Sequence, residues 1–262
     1  MQLFYELIFL LMGLCVGSFV NMLVYRTAVS YGLEKDKILR KVKDGKRSER
    51  SFCDFCGKQL HWYENVPVVS WLIQKGKSRC CHKSLPLLYP IIELVTGLLF
   101  VITVSQLGLT LSLIPGLVLV TMLVFSFVFD LKYMLLPDFS TVIMVVMVGI
   151  LVYFGWGQVS PLQYLEAAVG AMGFLGILYL VSKGKAMGFG DVKLAFFMGL
   201  LLGFPSIVVA FYVAFISGAV GGVGLMLAHK AGRKSLIPFG PFLILGTFIA
   251  WWWGKIIWYS IW

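Results

Sequence analysis

The chain has 262 residues, 60% of them hydrophobic and only 13% charged, against roughly 45–50% and about 25% in an ordinary soluble domain. With a mean hydropathy of +0.91 and apolar residues gathered in long uncharged runs, a soluble fold is excluded and a polytopic all-α membrane protein is implied. Collagen-like, disordered and disulfide-scaffold classes fail as well, because the 28 glycines have no triplet period, aromatics are abundant and there are only five cysteines.

Cutting at charges and at Gly/Pro breaks predicts about eight spans, near 3–25, 86–105, 111–130, 137–156, 161–182, 190–203, 206–228 and 237–260, all but the shorter 190–203 close to the ~20 residues that cross a ~30 Å hydrocarbon core. Two cuts rest on breaks inside long runs. Glu93 and Asp130 enclose 36 uncharged residues, split at Ser105–Thr110; Lys193 and Lys230 enclose another 36, split at Gly203-Phe204-Pro205-Ser206. The first segment lacks a basic start and carries its positive charge after the apolar run, so it reads as an uncleaved helix with its N-terminus outside.

The formal charge of +10 is concentrated. Between Arg26 and Lys83 lie 14 of the 22 Lys and Arg and six acids, so this one loop holds +8. A basic loop beside a membrane helix sets orientation and meets anionic lipid more often than it binds nucleic acid, and no nucleic-acid partner is expected. With that loop cytoplasmic, the connections near 131–137, 183–189 and 229–235 are also inside and hold the remaining loop cations. Those near 106–110, 157–160 and 204–205 are outside and hold none. Both termini then lie outside. The organisation is a first helix (1–25), a cytoplasmic basic Cys-containing insertion (26–85) and a membrane bundle (86–262).

Acids at or inside spans are costly and are candidates for function by default. Glu6 and Glu166 fall near outer ends, Glu93 in the inner third of the second span, and Asp130, Asp138 and Asp191 at the cytoplasmic edge. Asp138 after Pro137 reads as a helix cap, and Asp191 in Gly188-Phe189-Gly190-Asp191 could serve its helix start in the same way. Asp130 has no such excuse, since an acid in a last helical turn opposes the dipole. Two carboxylates at one membrane edge suit hydrolysis, one taking a proton from water while the other gives one to the scissile amide. No Gly-x-Ser-x-Gly elbow or His-Glu-x-x-His is present to offer another nucleophile.

The order of motifs resembles the type IV prepilin peptidases, bifunctional leader peptidase and N-methyltransferase enzymes of the GxGD aspartic class. The resemblance runs over nearly the whole chain: Gly17-Ser18-Phe19-Val20-Asn21 with Arg26, Cys53-x-x-Cys56, Trp62 to Pro67 followed by Ser70-Trp71-Leu72, and Tyr89-Pro90 with Glu93-Leu94. Asp130 with Leu136-Pro137-Asp138, Gly188 to Lys193 and Pro238-Phe239-Gly240-Pro241-Phe242 complete it. It implies a catalytic pair at Asp130 and Asp191, a prepilin or pseudopilin substrate cut at the cytoplasmic face of the inner membrane, and S-adenosylmethionine as methyl donor. Because a +8 loop repels a basic leader, docking is expected to come from the pilin's membrane helix. No Gly-rich adenosyl-binding fingerprint is visible, so no residues are assigned to the donor. The rival class is an ion- or proton-coupled transporter using Asp130 and Asp191, although transport acids tend to sit at the bilayer midplane rather than together at one face.

Four of the five cysteines, Cys53, Cys56, Cys80 and Cys81, lie in the cytoplasmic loop, where reducing conditions favour a metal over a disulfide. Zinc is the metal implied. The resembled pattern has two Cys-x-x-Cys pairs. Here Ser78 stands where the third cysteine belongs and Cys81 matches the fourth, leaving adjacent Cys80, or His61 or His82, to complete a site. Cys15, in the first span, is expected to be a small buried apolar residue.

Overall fold

The computed structural model describes residues 2–34, 53, 55–154, 160–185, 187–228 and 237–261. The basic stretch 35–52, the connection at 155–159 expected outside and the loop at 229–236 expected inside, with Lys230, Arg233 and Lys234, lie outside the described residues. Among those described, the architecture is all-α: α1 (Gln2–Ser30), a 3-10 turn (Trp62–Asn65), α2 (Val69–Ile73), α3 (Leu88–Leu107), α4 (Leu113–Tyr133), α5 (Asp138–Tyr153), α6 (Pro161–Val181), α7 (Phe189–Leu202), α8 (Ser206–Leu227) and α9 (Gly240–Ile261).

Every predicted span has a helix at its place. Six of them, α1, α3, α4, α6, α8 and α9, are long and apolar enough to cross a membrane. The count of eight full crossings is where structure and expectation part. Helix α5 has 16 residues and α7 has 14, so at 1.5 Å per residue they reach only about 24 and 21 Å. Gly188 and Gly203 bracket α7, the latter at φ +63°, and this glycine punctuation is what makes the seventh helix short.

The chain divides into two compact units, Met1–Leu109 and Thr110–Trp262. In the first, α1 packs along α3. Gly13 and Gly17, one turn apart, and Gly97 permit this: a Cβ on Gly13 would fall 2.7 Å from the Gly97 Cα, and one on Gly17 2.7 Å from the Glu93 Cα. Small residues let membrane helices approach to backbone contact, where dispersion replaces the absent hydrophobic drive. In the second unit α4 pairs with α5, α6 with α7 and α8 with α9, while α9 also touches α4 and α7. Its core is filled by Leu119, Phe125, Phe129, Phe197, Met198 and Leu243, all fully buried. The outward faces of α6 and α8 expose Leu165, Val169, Ile177, Ile216 and Val220. Only lipid makes such a surface stable.

Candidate functional site

Asp130 sits in the last turn of α4. The helix ends just beyond it because Met134 adopts a left-handed conformation, its N–H returning to the Asp130 carbonyl at 2.8 Å. The chain then turns through Leu136-Pro137 into α5, and the hairpin is pinned by Ser126 Oγ donating to Ser140 Oγ (3.1 Å) and by Ser140 Oγ donating to the Pro137 carbonyl (2.7 Å). Phe129 meets the rings of Tyr133 and Phe125 at tilted angles, with centroids 4.9 and 5.6 Å away, which packs the end of α4. Helix α9 begins at Gly240, and its backbone lies directly against the Asp130 carboxylate. A Cβ there would be 2.5 Å from Oδ2.

Asp191 is the third residue of α7. Its Oδ2 accepts from the Gly188 N–H at 3.3 Å, so it does serve the helix start, as its position allowed. Yet it is only 7% exposed and Asp130 only 5%, and a solvated cap needs no such burial. Gly190 presses on Leu136, with a Cβ there only 3.1 Å from the leucine Cβ, which holds the start of α7 to the α4–α5 turn. The two carboxylates are close enough to act on one another electrostatically. Asp130 Oδ2 has no hydrogen-bond partner among the described residues. The ends of α4, α5, α7 and α9 thus meet at one end of the second unit. Buried carboxylates with no counter-cation among the described residues are expensive, which makes this pair the candidate site.

Asp138 behaves differently. Its carboxylate, 72% exposed, pairs with Lys193 Nζ at 2.7 Å. Pro137 rather than Asp138 occupies the cap position of α5, so the cap expected there is replaced by an exposed ion pair from the first residue of α5 to the fifth of α7. The role of Gly240 as the wall of the Asp130 pocket was not assigned from sequence, although Phe239-Gly240-Pro241 is the kind of break that permits a close approach.

In the first unit, the Sγ atoms of Cys53, Cys56, Cys80 and Cys81 all lie within 4.8 Å of one another. The local reason is a repeated turn. The Cys53 N–H donates to the Lys58 carbonyl and the Gly57 N–H to the Cys53 carbonyl, both at 2.9 Å. In the second copy the Ser78 N–H donates to the Lys83 carbonyl (2.9 Å) and the His82 N–H to the Ser78 carbonyl (2.8 Å). Gly57 and His82 both take positive φ, +72° and +54°. Ser78 therefore occupies the turn position of Cys53, and Cys81 that of Cys56. Cys80 lies one residue before Cys81, yet its sulfur reaches Cys56 at 3.0 Å and the Ser78 hydroxyl at 3.1 Å. Burial pushes the Cys53 thiol up, but hydrogen bonds from Ser78 and from the backbone of Cys56 and Phe55 outweigh it and bring it down to about 6. Its hydrogen bond with Cys56 pushes the Cys80 thiol up to about 12.

Tetrahedral zinc with Zn–S near 2.3 Å sets its sulfurs about 3.8 Å apart, and the Cys53–Cys81 separation is 3.8 Å. The donor set fits zinc, and the Cys56–Cys80 pair, at 3.0 Å, would have to open to accept it. Neither His61, stacked on Tyr63, nor His82 joins the group. Cys15 is exposed, contrary to the expectation of a buried apolar residue.

Residues 11–107 match the bacterial peptidase A24 N-terminal domain, and residues 117–223 match the type IV leader peptidase family. A prepilin leader peptidase/N-methyltransferase of Aeromonas salmonicida (strain A449) is 33% identical over 98% of this chain and 94% of its own length. One from Bacillus subtilis (strain 168) is 31% identical over 79% of the chain and 83% of its own. One from Myxococcus xanthus is 36% identical over 63% of the chain and 44% of its own. No solved structure matches the chain significantly. The chain belongs to the type IV leader peptidase family.

Proposed function

We propose that Asp130 and Asp191 are the paired acids of an aspartic endopeptidase that removes leaders from type IV prepilins or pseudopilins at the cytoplasmic membrane face. The chain is an enzyme of a family whose relatives carry the names of both activities, leader cleavage and N-methylation. The carrying observation is the burial of two mutually interacting carboxylates at one end of the second unit, with no cation against them among the described residues. Like charges held close cannot both ionise freely, so one proton is shared. The ionised member takes a proton from water as its oxygen attacks the leader's scissile carbonyl carbon. The protonated member gives its proton to the carbonyl oxygen, and the departing amine regains a proton as the C–N bond breaks. The ion-carrier reading of these aspartates gives way to the family assignment.

Sidedness follows the charge pattern: the termini outside, and the last turn of α4 and first turn of α7 at the cytoplasmic face. We keep the functional division expected from sequence, with methyl transfer assigned to 26–85 and peptide cleavage to the bundle within 86–262. The structure adds that α3 packs with α1. Zinc held by Cys53, Cys56, Cys80 and Cys81 would fix the two turns and so shape the insertion, supplying structure rather than reaction. The test of the peptidase assignment is cleavage of a detergent-solubilised prepilin by Asp130→Asn and Asp191→Asn. Intact insertion with no leader release supports the pair, and near-normal cleavage by either variant removes it.

A further inference from the structure

The first unit contains a cavity of about 460 Å³, within the roughly 300–1,000 Å³ of small-molecule sites. It involves neither aspartate. Its lining carries three charges: the carboxylates of Glu64 and Glu93 and the guanidinium of Arg26. Trp71 and Tyr89 add aromatic faces and Asn21 an amide. Such a set, two negative groups and one positive around aromatic rings, is the electrostatic inverse of S-adenosylmethionine, which has a sulfonium, an ammonium and one carboxylate beside an adenine.

The details favour a built site over a packing gap. Glu93, 8% exposed, is held by the Val68 N–H at 2.7 Å, and Val68 makes that bond from φ +60°. A β-branched residue in the left-handed region is strained, and strain of this kind persists where the surroundings enforce it for a purpose. Asn21 donates through Nδ2 to the Tyr89 carbonyl at 3.3 Å, which leaves its Oδ1 buried without a partner among the described residues. Trp71 Nε1 is likewise buried and unpartnered. One acceptor and one donor therefore await a ligand's polar edge. Cys53 and Ser78 also reach the lining, so the cysteine turns form part of the wall.

We propose that this cavity is the methyl-donor site, binding S-adenosylmethionine with Glu64 and Glu93 facing its two cationic groups, Arg26 its carboxylate, and Trp71 and Tyr89 its adenine. The proposal rests on the reading that the chain N-methylates the cleaved pilin. In the transfer, the lone pair of the deprotonated N-terminal amine forms the N–CH3 bond as the C–S bond breaks. The bonding pair stays on sulfur, giving the thioether S-adenosylhomocysteine, and the amine's extra proton passes to solvent. Loss of the sulfonium charge weakens the hold of the carboxylates and favours product release. No Gly-rich loop is required, which accounts for the missing fingerprint.

The experiment is titration of the full-length protein in detergent with S-adenosylmethionine and S-adenosylhomocysteine, for wild type, Glu64→Gln and Glu93→Gln, with thermal unfolding recorded for each. Glu64, on the 3-10 turn and partly exposed, keeps the test valid if the buried Glu93 variant fails to fold. Removing one charge-assisted contact should raise Kd for S-adenosylmethionine by about tenfold or more, and for the uncharged-sulfur product by less. Wild-type binding with both folded variants binding equally well overturns the cavity assignment alone. A wild type that neither binds S-adenosylmethionine nor methylates a pre-cleaved pilin overturns the methylation reading, and the cavity assignment with it.

Discussion

The two units solve the same problem in opposite ways. The second builds its site from helix ends: Asp130 closes α4, Asp191 opens α7, and Gly240 opens α9 against the first carboxylate. The first builds its site from a stretch with little helix, where repeated turns bring Cys53 and Cys56 to Cys80 and Cys81. A membrane helix bundle can position a carboxylate by backbone alone, because all its amides are already satisfied. A short polar insertion between two helices has too little core for that and depends on a staple. The lesson is that damage to the second unit should act at single atoms, and damage to the first through loss of shape.

The largest expected effect is therefore at the aspartates. Asp130→Asn and Asp191→Asn should each lower leader cleavage by about a thousandfold, since acid–base catalysis contributes roughly 10²–10⁴ per group; quantitative release of leader in a purified assay measures it. Next comes Gly240→Ala. Its methyl would stand 2.5 Å from Asp130 Oδ2 and must displace the carboxylate, and a displacement near 1 Å costs about a hundredfold in rate. A kcat drop of that order with unchanged insertion would locate Gly240 as a positioning residue, whereas normal kcat would show that the carboxylate does not work from its observed place.

The staple gives the third contrast. Metal analysis should find close to one zinc per chain, and Cys80→Ser should remove most of it, because three thiolates and a hydroxyl bind zinc poorly. Ser78→Cys in that background restores a thiol at the turn position equivalent to Cys53 and should restore the zinc. Failure of the rescue would mean that Cys80 is not standing in for Ser78. The smallest effect belongs to the Lys193–Asp138 pair, exposed at 35% and 72%. Asp138→Asn should cost about 0–1 kcal/mol of stability and leave most cleavage intact, which separates this acid from the two buried ones.

The second unit was legible in the sequence because charge in an apolar run is rare, so Asp130 and Asp191 announced themselves. Helix positions followed from Gly and Pro punctuation. The short length of α7 was already in the expected bounds 190–203, whereas that of α5 was not, since a run of apolar residues does not say where the backbone leaves helical dihedrals. Asp138 looked like a cap from its neighbour Pro137, but its partner Lys193 is 55 residues away, a distance that local rules cannot see. In the first unit the cysteines were visible and their register was less so. The second turn closes with His82 at positive φ where the first has Gly57, an unusual choice for a non-glycine residue that hides the repeat. The cavity residues Asn21, Arg26, Glu64, Trp71 and Glu93 span some 70 positions and share no spacing rule; all five lay in the motifs that carried the family resemblance, but nothing in the sequence showed that they line one cavity.

The claim that two units carry two separable chemistries is tested most directly by measuring both reactions side by side in two variants. Leader cleavage and methylation of a pre-cleaved pilin would be followed for Asp191→Asn and for the double variant Cys53→Ser, Cys56→Ser. The expected result is opposite losses: Asp191→Asn stops cleaving but still methylates, while the cysteine variant loses zinc and methyl transfer and retains residual cleavage. Parallel loss of both reactions in both folded variants would contradict the division and assign one shared site to the whole chain.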